Sequence, residues 1–194
     1  MLEESSLGKA VLLDLDGVAV ELVDHFGEYG VSPRLLQEVR IVGGLSEVLE
    51  NLVGLGFIIV GITNQPDIAR GKITPEFLDE KHAAVQRMYP QIQDIFVCTH
   101  TETDLCDCRK PKPGLLRQAA KKYNIDFAGS WVIGDSRADI EAGTLVHART
   151  IFLQTPYNCA DPAIDKATTV APSTLKALKL IVDLERGRAN QSDS

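Results

Sequence analysis

The sequence lacks a long apolar run, an excess of positive charge and any apparent repeat. No apolar stretch approaches the roughly 20 residues that a membrane-spanning helix needs. The net charge of -7 argues against general binding to nucleic acid or to an anionic membrane surface. The first segment, Met1 to Lys9, has two glutamates and no apolar core, so it does not resemble a secretory signal. We therefore expect a cytoplasmic protein with neither a nucleic-acid partner nor a membrane partner. Separately, we expect a monomer, although no sequence pattern indicates the oligomeric state.

Length and composition are ordinary for one globular domain. The chain has 194 residues, 44% of them hydrophobic and 24% charged, which is enough for one real core. We predict a single domain over residues 1–186 and a polar, flexible tail over residues 187–194. The four cysteines should stay reduced in the cytoplasm, where clustered cysteines indicate metal ligands rather than disulfides.

Short apolar, β-branched segments alternate with helical patterns along the chain. The predicted strands are 11–15, 57–62, 95–98, 131–133 and 150–153. The predicted helices are 45–55, 75–89, 113–123, a helix starting at 137–142, and a last helix capped by Ser173 and ending near Glu185. This alternation predicts an α/β protein with a three-layer, Rossmann-like fold and a mainly parallel sheet.

Two aspartates one residue apart end the first predicted strand. Asp14 and Asp16 follow an apolar run and are followed at once by Gly17. Carboxylates this close raise each other's pKa unless a cation lies between them, and Mg²⁺ is a hard cation held by oxygen ligands. One carboxylate could then act as a nucleophile while the other transfers protons. The alternative is an ordinary strand end that runs into an Asp-Gly turn.

Polar residues also follow the later strands, at the sheet edge where α/β proteins bind ligands. Thr63, Asn64 and Gln65 follow the second strand, where they could donate to an anionic oxygen or simply form a turn. Asp135 ends the fourth strand, and Asp139 lies four residues later on the same face of the next helix. We predict that Asp135 supplies a third metal carboxylate and that Asp139 supports it without binding the metal directly. The alternative is a helix cap.

Four soft ligands lie within eleven residues, and a basic loop follows them. The four are Cys98, His100, Cys106 and Cys108. Three thiolates and one imidazole predict a closed, tetrahedral and therefore structural Zn²⁺ site, and the alternative is a set of ordinary buried and exposed thiols. Cys159 stands apart as a free thiol.

The basic loop after the cysteines carries Arg109 and Lys110. Lys110 could neutralise a phosphoryl oxygen, and Arg109 could bind a second oxyanion through two parallel hydrogen bonds. The alternative for an isolated pair of this kind is a solvated loop. Folding this loop would be the work of the zinc site.

Together these residues resemble the haloacid dehalogenase (HAD) superfamily of phosphatases. The superfamily order is present as Asp14-x-Asp16-Gly17, Thr63, Lys110 and Gly134-Asp135-x-x-x-Asp139. A narrower resemblance, to the branch of the heptose bisphosphate and histidinol-phosphate phosphatases, lies in Thr63-Asn64-Gln65, Ile68-Ala69-Arg70-Gly71-Lys72, Cys98-x-His100 and Cys106-Asp107-Cys108-Arg109-Lys110-Pro111. The similarity runs from about Ala10 to about Leu153.

The resemblance implies an Mg²⁺-dependent phosphatase that forms an aspartyl-phosphate. The implied catalytic residues are Asp14 as nucleophile, Asp16 as proton donor and acceptor, and Thr63 and Lys110 as stabilisers of the phosphoryl oxygens. The implied Mg²⁺ ligands are Asp14, the Asp16 backbone carbonyl and Asp135, with Asp139 orienting them. The implied substrate-binding residues are Asn64, Gln65, Arg70 and Arg109.

The expected substrate is a small phosphorylated sugar, D-glycero-D-manno-heptose 1,7-bisphosphate, and the alternative is histidinol phosphate or another small metabolite. A polynucleotide 3'-phosphatase shares these motifs, but the acidic chain has no basic track for DNA. A non-catalytic binding domain that keeps the fold is the alternative of another class.

The sequence departs from the family pattern beside the predicted site. Leu15 and Val18 stand where the family usually has arginine and threonine, Pro66-Asp67 replaces Ser-Gly, and the asparagine expected soon after Val18 is missing. The stretch from Glu21 to Val42 is longer than the pattern. No long insert follows the first or third motif, so we expect an open site without a large cap domain.

Overall fold

The computed structural model describes residues 7–25 and 27–192. Most of the segment assessed above for a secretory signal, residues 1–6, lies outside the described residues, as do the last two residues of the predicted tail. Within the described part of the chain, no helix has both the length and the apolar character needed to cross a membrane.

A six-stranded sheet forms the centre of the protein. Its strands in chain order are β1 (Lys9–Leu13), β4 (Phe57–Asn64), β5 (Ile92–Cys98), β6 (Trp131–Gly134), β7 (Arg149–Leu153) and β8 (Thr169–Ala171). A separate antiparallel hairpin consists of β2 (Val23–His25) and β3 (Glu28–Val31). The large sheet has the order β5-β4-β1-β6-β7-β8, and all its pairings are parallel.

Helices cover both faces of this sheet. They are α1 (Ser46–Gly54), α2 (Pro75–Met88), α3 (Gly114–Tyr123), α4 (Arg137–Leu145) and α5 (Thr174–Ser192). Alternate side chains of β1 point to opposite faces, so Val11 and Leu13 pack with α1 and α5 while Ala10 and Leu12 pack with α3 and α4. Burial on both faces explains why β1 is apolar throughout. The predicted three-layer α/β fold is confirmed.

Local signals place several helix ends as predicted. The Thr74 hydroxyl accepts a hydrogen bond from the backbone N–H of Phe77 at 3.2 Å, and Pro75 occupies the first position of α2. The Ser173 hydroxyl accepts from the Lys176 backbone N–H at 3.3 Å at the start of α5. After α1, Gly56 has a φ of +82°, a conformation that glycine adopts without strain.

Several predicted boundaries are wrong. The second strand continues to Asn64, past Ile62, and the third begins at Ile92, before Ile95. The first strand ends at Leu13, not Leu15, because the Leu15 carbonyl accepts from the backbone N–H groups of residues 18, 19 and 20 and so belongs to a turn. The last helix ends at Ser192, well past Glu185. Gly187 weakens a helix without stopping it, and Arg188 pairs with Glu185 at 3.2 Å across one turn. Flexibility of residues 187–194 stays a prediction.

The hairpin of β2 and β3 lies in the unusually long stretch 21–42, where no strand was predicted. A short 3-10 helix, Leu36–Glu38, follows it. Both strands are short and without buried residues, so they show no apolar alternation that the sequence could reveal. The hairpin flanks the carboxyl ends of the large sheet and is far too small to be a cap domain.

Candidate active site

A cavity of about 530 Å³ opens at the carboxyl ends of β1, β4 and β6. Residues from the strand ends that line it are Asp14, Asp16, Thr63, Asn64, Gln65 and Asp135. Residues from the hairpin and the surrounding loops that line it include Glu28, Arg34, Asp67, Arg70, Lys72 and Arg109. The structure thus brings most of the predicted site residues to one cavity, while Lys110 and Asp139 lie buried beside it.

Three carboxylates meet at the base of this cavity. One oxygen each from Asp14, Asp135 and Asp139 lies within 4.8 Å of the others. Burial and the charge of Asp139 raise the pKa of Asp14 to about 7. Burial and the charges of Asp14 and Asp139 raise the pKa of Asp135 to about 8. Because the raised pKa values disfavour the ionised forms of Asp14 and Asp135 when no cation is bound, the donor set fits a divalent cation that prefers oxygen ligands.

Gly17 makes room for this cluster. Its φ is +84°, and a Cβ atom on it would lie 2.0 Å from Oδ2 of Asp135. A side chain at this position would therefore both strain the backbone and displace a carboxylate. Glycine is therefore required after Asp16, because Asp135, at the end of β6, lies directly against this position.

Lys110 supplies a fixed positive charge under the carboxylates. Its Nζ lies 3.0 Å from Oδ1 of Asp14 and donates to Oδ1 of Asp139 at 2.5 Å and to the carbonyl of Ile62 at 2.7 Å. Burial alone would lower the pKa of Lys110, but Asp139 and Asp14 raise it above its usual value. The side chain of Asn64 brackets the Lys110 backbone, accepting from its N–H at 3.1 Å and donating to its carbonyl at 3.0 Å. Lys110 therefore stays charged and in place.

Asp139 has both oxygens occupied by protein donors. Its Oδ2 accepts from the backbone N–H and the hydroxyl of Ser136, at 3.1 and 2.5 Å, while Oδ1 accepts from Lys110. The side chain is 1% exposed. This arrangement suits a residue that orients its neighbours.

Asp16 has a different environment from Asp14. Nζ of Lys81 lies 3.0 and 2.9 Å from its two oxygens, and the Gln65 amide donates to Oδ2 at 2.6 Å. Burial alone would raise the pKa of Asp16, but Lys81 and Gln65 lower it below its usual value. The Gln65 amide also donates to the hydroxyl of Thr63 at 2.9 Å. Gln65, predicted to bind substrate, thus has its amide engaged with two other site residues.

Charged residues of both signs surround the mouth of the cavity. Asp67 pairs with Arg34 at 2.8 Å and with Arg70 at 3.3 Å. Glu102 pairs with Arg70 at 2.9 Å and also with Arg109. The further ion pairs of this rim join Glu28 to Arg34 and to Lys72. With four cations to three carboxylates, the rim favours an anionic ligand.

The four predicted zinc ligands also meet. Sγ of Cys98 lies 3.8 Å from Sγ of Cys106 and 3.2 Å from Sγ of Cys108. Nδ1 of His100 lies 3.5 Å from Sγ of Cys98 and 3.3 Å from Sγ of Cys108. A tetrahedron with Zn–S bonds of about 2.3 Å separates its sulfurs by roughly 3.8 Å, so the donor set fits Zn²⁺. Arg109 follows directly and donates to the His100 carbonyl at 3.3 Å.

Sequence reasoning missed Lys81 and Arg34. On α2 the buried residues are Leu78, Lys81, His82 and Val85, which is the spacing of a core face. A lysine at a core position of a helix is almost always paired with a buried acidic group, so the sequence did contain a signal for Lys81. Arg34 had no comparable signal, because the hairpin that places it was not predicted.

Mg²⁺ affinity is expected to rise by about an order of magnitude or more between pH 6 and pH 8. Below pH 7 the raised pKa values leave Asp14 and Asp135 largely protonated, and a cation can bind only when those protons leave. The Mg²⁺-induced increase in Tm, measured at several pH values, reports this dependence. An Asp135→Asn control should bind weakly at every pH, and an equal Mg²⁺ effect at pH 6 and pH 8 in the unsubstituted protein would contradict the prediction.

Comparison with known proteins gives consistent matches. The HAD-hydrolase-like family model matches residues 107–177. The D-glycero-beta-D-manno-heptose-1,7-bisphosphate 7-phosphatase of Pseudomonas aeruginosa is 36% identical over 150 residues, which cover 75% of this chain and 80% of that protein. The protein of that name from Pasteurella multocida is 31% identical over 188 residues, covering 91% and 98%.

Among solved structures, a similar one is the D,D-heptose 1,7-bisphosphate phosphatase from B. bronchiseptica, crystallised with magnesium and phosphate. Its TM-score is 0.75 at 26% sequence identity, and the match covers 91% of this chain and 99% of that one.

Proposed function

This chain belongs to the HAD family of phosphatases that includes the heptose-1,7-bisphosphate 7-phosphatases, and we propose that it hydrolyses D-glycero-D-manno-heptose 1,7-bisphosphate. The observation that carries the proposal is that Asp14, Asp16 and Asp135 line one cavity, while Lys110, buried beside it, lies 3.0 Å from Asp14. We further propose that residues 1–186 act as one domain and that the protein is a cytoplasmic monomer.

In the proposed first step, a carboxylate oxygen of Asp14 attacks phosphorus, and the bond from phosphorus to the sugar oxygen breaks. Asp16 passes a proton to that oxygen. Since Lys81 and Gln65 hold the pKa of Asp16 low, Asp16 is ionised before the reaction, and a phosphate monoester with a second pKa of about 6 can deliver the proton from its phosphoryl oxygen. In the second step Asp16 takes a proton from water, the water oxygen bonds to phosphorus, and the bond to Asp14 breaks. Asp16 then releases this proton to solvent and returns to its ionised form.

The charge of the transferred phosphoryl group is stabilised from two sides. Lys110, already 3.0 Å from Asp14, and the Thr63 hydroxyl would donate to its oxygens. Mg²⁺, held by Asp14, the Asp16 carbonyl and Asp135, would neutralise the remaining charge. Asp139 would keep Lys110 and the carboxylates in position.

The second phosphate of the substrate would lie at the cationic rim. Arg70 and Arg109 line the cavity and share Glu102, an exposed carboxylate that a bound phosphate could replace. The zinc loop, held by Cys98, His100, Cys106 and Cys108, would fix the position of Arg109. This arrangement favours a bisphosphate over a monophosphate.

The test is Mg²⁺-dependent phosphate release from a panel of small phosphates. We expect kcat/KM for the heptose bisphosphate to exceed that for its 1-phosphate, histidinol phosphate and hexose phosphates by about 10-fold or more. Arg109→Gln should raise KM for the bisphosphate more than for a monophosphate, because it removes a phosphate contact. Arg117→Gln, at an exposed position on α3, is the matched control.

Other outcomes of the panel discriminate between the alternatives. A preference for histidinol phosphate would replace the heptose substrate with the second candidate. Absence of release from every member, although Mg²⁺ binds, would favour a non-catalytic binding domain.

A further inference from the structure

Lys81 is a fully buried lysine directed at the proposed active site. Its side chain is 0% exposed, and it stands on the core face of α2 between Leu78 and Val85. A buried ammonium is unfavourable unless a charged partner and hydrogen bonds compensate for the lost water. Both oxygens of Asp16 provide this compensation, at 3.0 and 2.9 Å. The position would suit an apolar residue if packing were its only task.

The neighbours of Asp16 in sequence cannot hold its carboxylate with their side chains. Leu15 and Val18 are apolar and fully buried, where the family pattern has arginine and threonine. The carboxylate is instead held from distant parts of the chain, by Lys81 on α2, by the Gln65 amide after β4 and by the Ser32 side chain after β3. Each proposed catalytic aspartate therefore has its own lysine, because Lys110 contacts Asp14.

We propose that Lys81 is a positioning residue for phosphoryl transfer, which fixes the orientation of the Asp16 carboxylate toward the sugar oxygen and the attacking water. The inference rests on the proton-transfer role proposed above for Asp16. Two contacts from one ammonium restrain rotation of the carboxylate, and the Gln65 amide restrains the same group from a second direction. Proton transfer requires such a fixed geometry, within hydrogen-bond reach of the group that gains or loses the proton.

The central variant is Lys81→Met, which keeps the length of the side chain and removes its charge. We expect kcat for the sugar phosphate to fall about 10- to 100-fold while KM stays within about 2-fold, because substrate contacts at the rim are unchanged. The matched control is Lys9→Met, which breaks the Lys9–Glu185 pair of 2.9 Å at the opposite end of β1. That control should leave kcat unchanged.

A double-substitution cycle separates positioning from mere structural support. Asp16→Asn alone should lower kcat strongly, and adding Lys81→Met to it should lower kcat no further, since Lys81 acts through Asp16. A further loss in the double variant would overturn the proposal. Removing both charges also avoids leaving one buried charge unpaired, so the double variant should fold.

Lys81→Gln provides a second line of evidence, because its amide can still donate to Asp16. We expect it to retain more of kcat than Lys81→Met. If Lys81→Met fails to fold, a lowered kcat with unchanged KM and Tm in Lys81→Gln supports the proposal, and a wild-type kcat overturns it. An active wild-type enzyme with fully active Lys81 variants refutes only this inference, whereas a wild type inactive on the whole panel refutes the proposed function itself.

Discussion

Replacing Asp14 by asparagine is expected to lower kcat for the heptose bisphosphate by at least about 10³-fold, the largest effect of any single substitution considered for this protein. The amide that replaces the carboxylate is a poor nucleophile and carries no charge for the metal. The same change should not damage the fold. Because burial raises the pKa of Asp14 to about 7, its ionised form is disfavoured in the folded protein. At pH 8 without Mg²⁺, Asp14→Asn should be at least as stable as wild type.

Phosphate release and thermal denaturation, measured on the same preparations, check both halves of this prediction. Asp183→Asn, an exposed position on α5, is the matched control and should retain full turnover. A covalent phosphoryl label, trapped by acid quench during turnover, should form on wild type and be missing from Asp14→Asn. Turnover above about a tenth of wild type in Asp14→Asn would mean that the nucleophile is another group.

The sequence predicts the carboxylate cluster well because the order of the parallel strands alone determines which strand ends are neighbours. In a parallel sheet all carboxyl ends lie at one edge, so Asp14 after β1 and Asp135 after β6 must be neighbours once those strands pair. The register, with Leu13 opposite Ile133, then fixes their distance. Local motifs are sufficient to predict the positions of such residues, because each residue directly follows a strand of the sheet.

The side-chain partners are harder to predict than the positions. Asn64 and Gln65 were predicted to bind substrate, yet the first brackets the Lys110 backbone and the second holds Asp16. Strand order does not reveal which buried polar side chains form hydrogen bonds with one another. Lys81 reaches the site from 65 positions along the chain, and such long-range pairs depend on the packing of α2 against the sheet.

Arg34 shows a further limit. It is placed by the hairpin of β2 and β3, whose short and partly exposed strands have no apolar alternation. It contacts Asp67, a residue that stands where the family usually has glycine. Cavity-lining residues of this kind lie on segments that the core does not determine, so sequence patterns predict them poorly.

Removing zinc is expected to lower Tm by about 10 °C and kcat/KM for the bisphosphate by about 10-fold or more. Structural zinc contributes free energy of folding directly, and several kcal/mol lost from a domain of this size shift Tm by roughly this amount. Cys108→Ser should have the same effect, because it removes one of the four proposed zinc ligands. Cys159→Ser, at an exposed free cysteine, is the matched control and should change neither quantity.

The effect on activity should come mainly through the rim, because Lys110 keeps its own contacts with Asn64 and Asp139. Arg109 directly follows Cys108, the last of the proposed zinc ligands, and donates to the His100 carbonyl, so an unfolded loop would release its guanidinium from the cavity mouth. KM for the bisphosphate should therefore rise more than KM for a monophosphate. The experiment uses a zinc-selective chelator with excess Mg²⁺ present, and readdition of Zn²⁺ should restore both Tm and KM.

Proton release on zinc binding gives an independent readout of the same site. Burial and the neighbouring thiol of Cys108 raise the pKa of Cys98 to about 12, so the metal-free thiol is protonated at neutral pH. Zinc binds thiolates, and refilling the site must therefore release protons that can be measured in weakly buffered solution.

Unchanged Tm and KM after complete zinc removal would show that the loop folds without the metal, and Arg109 would then owe its position to its ion pair with Glu102.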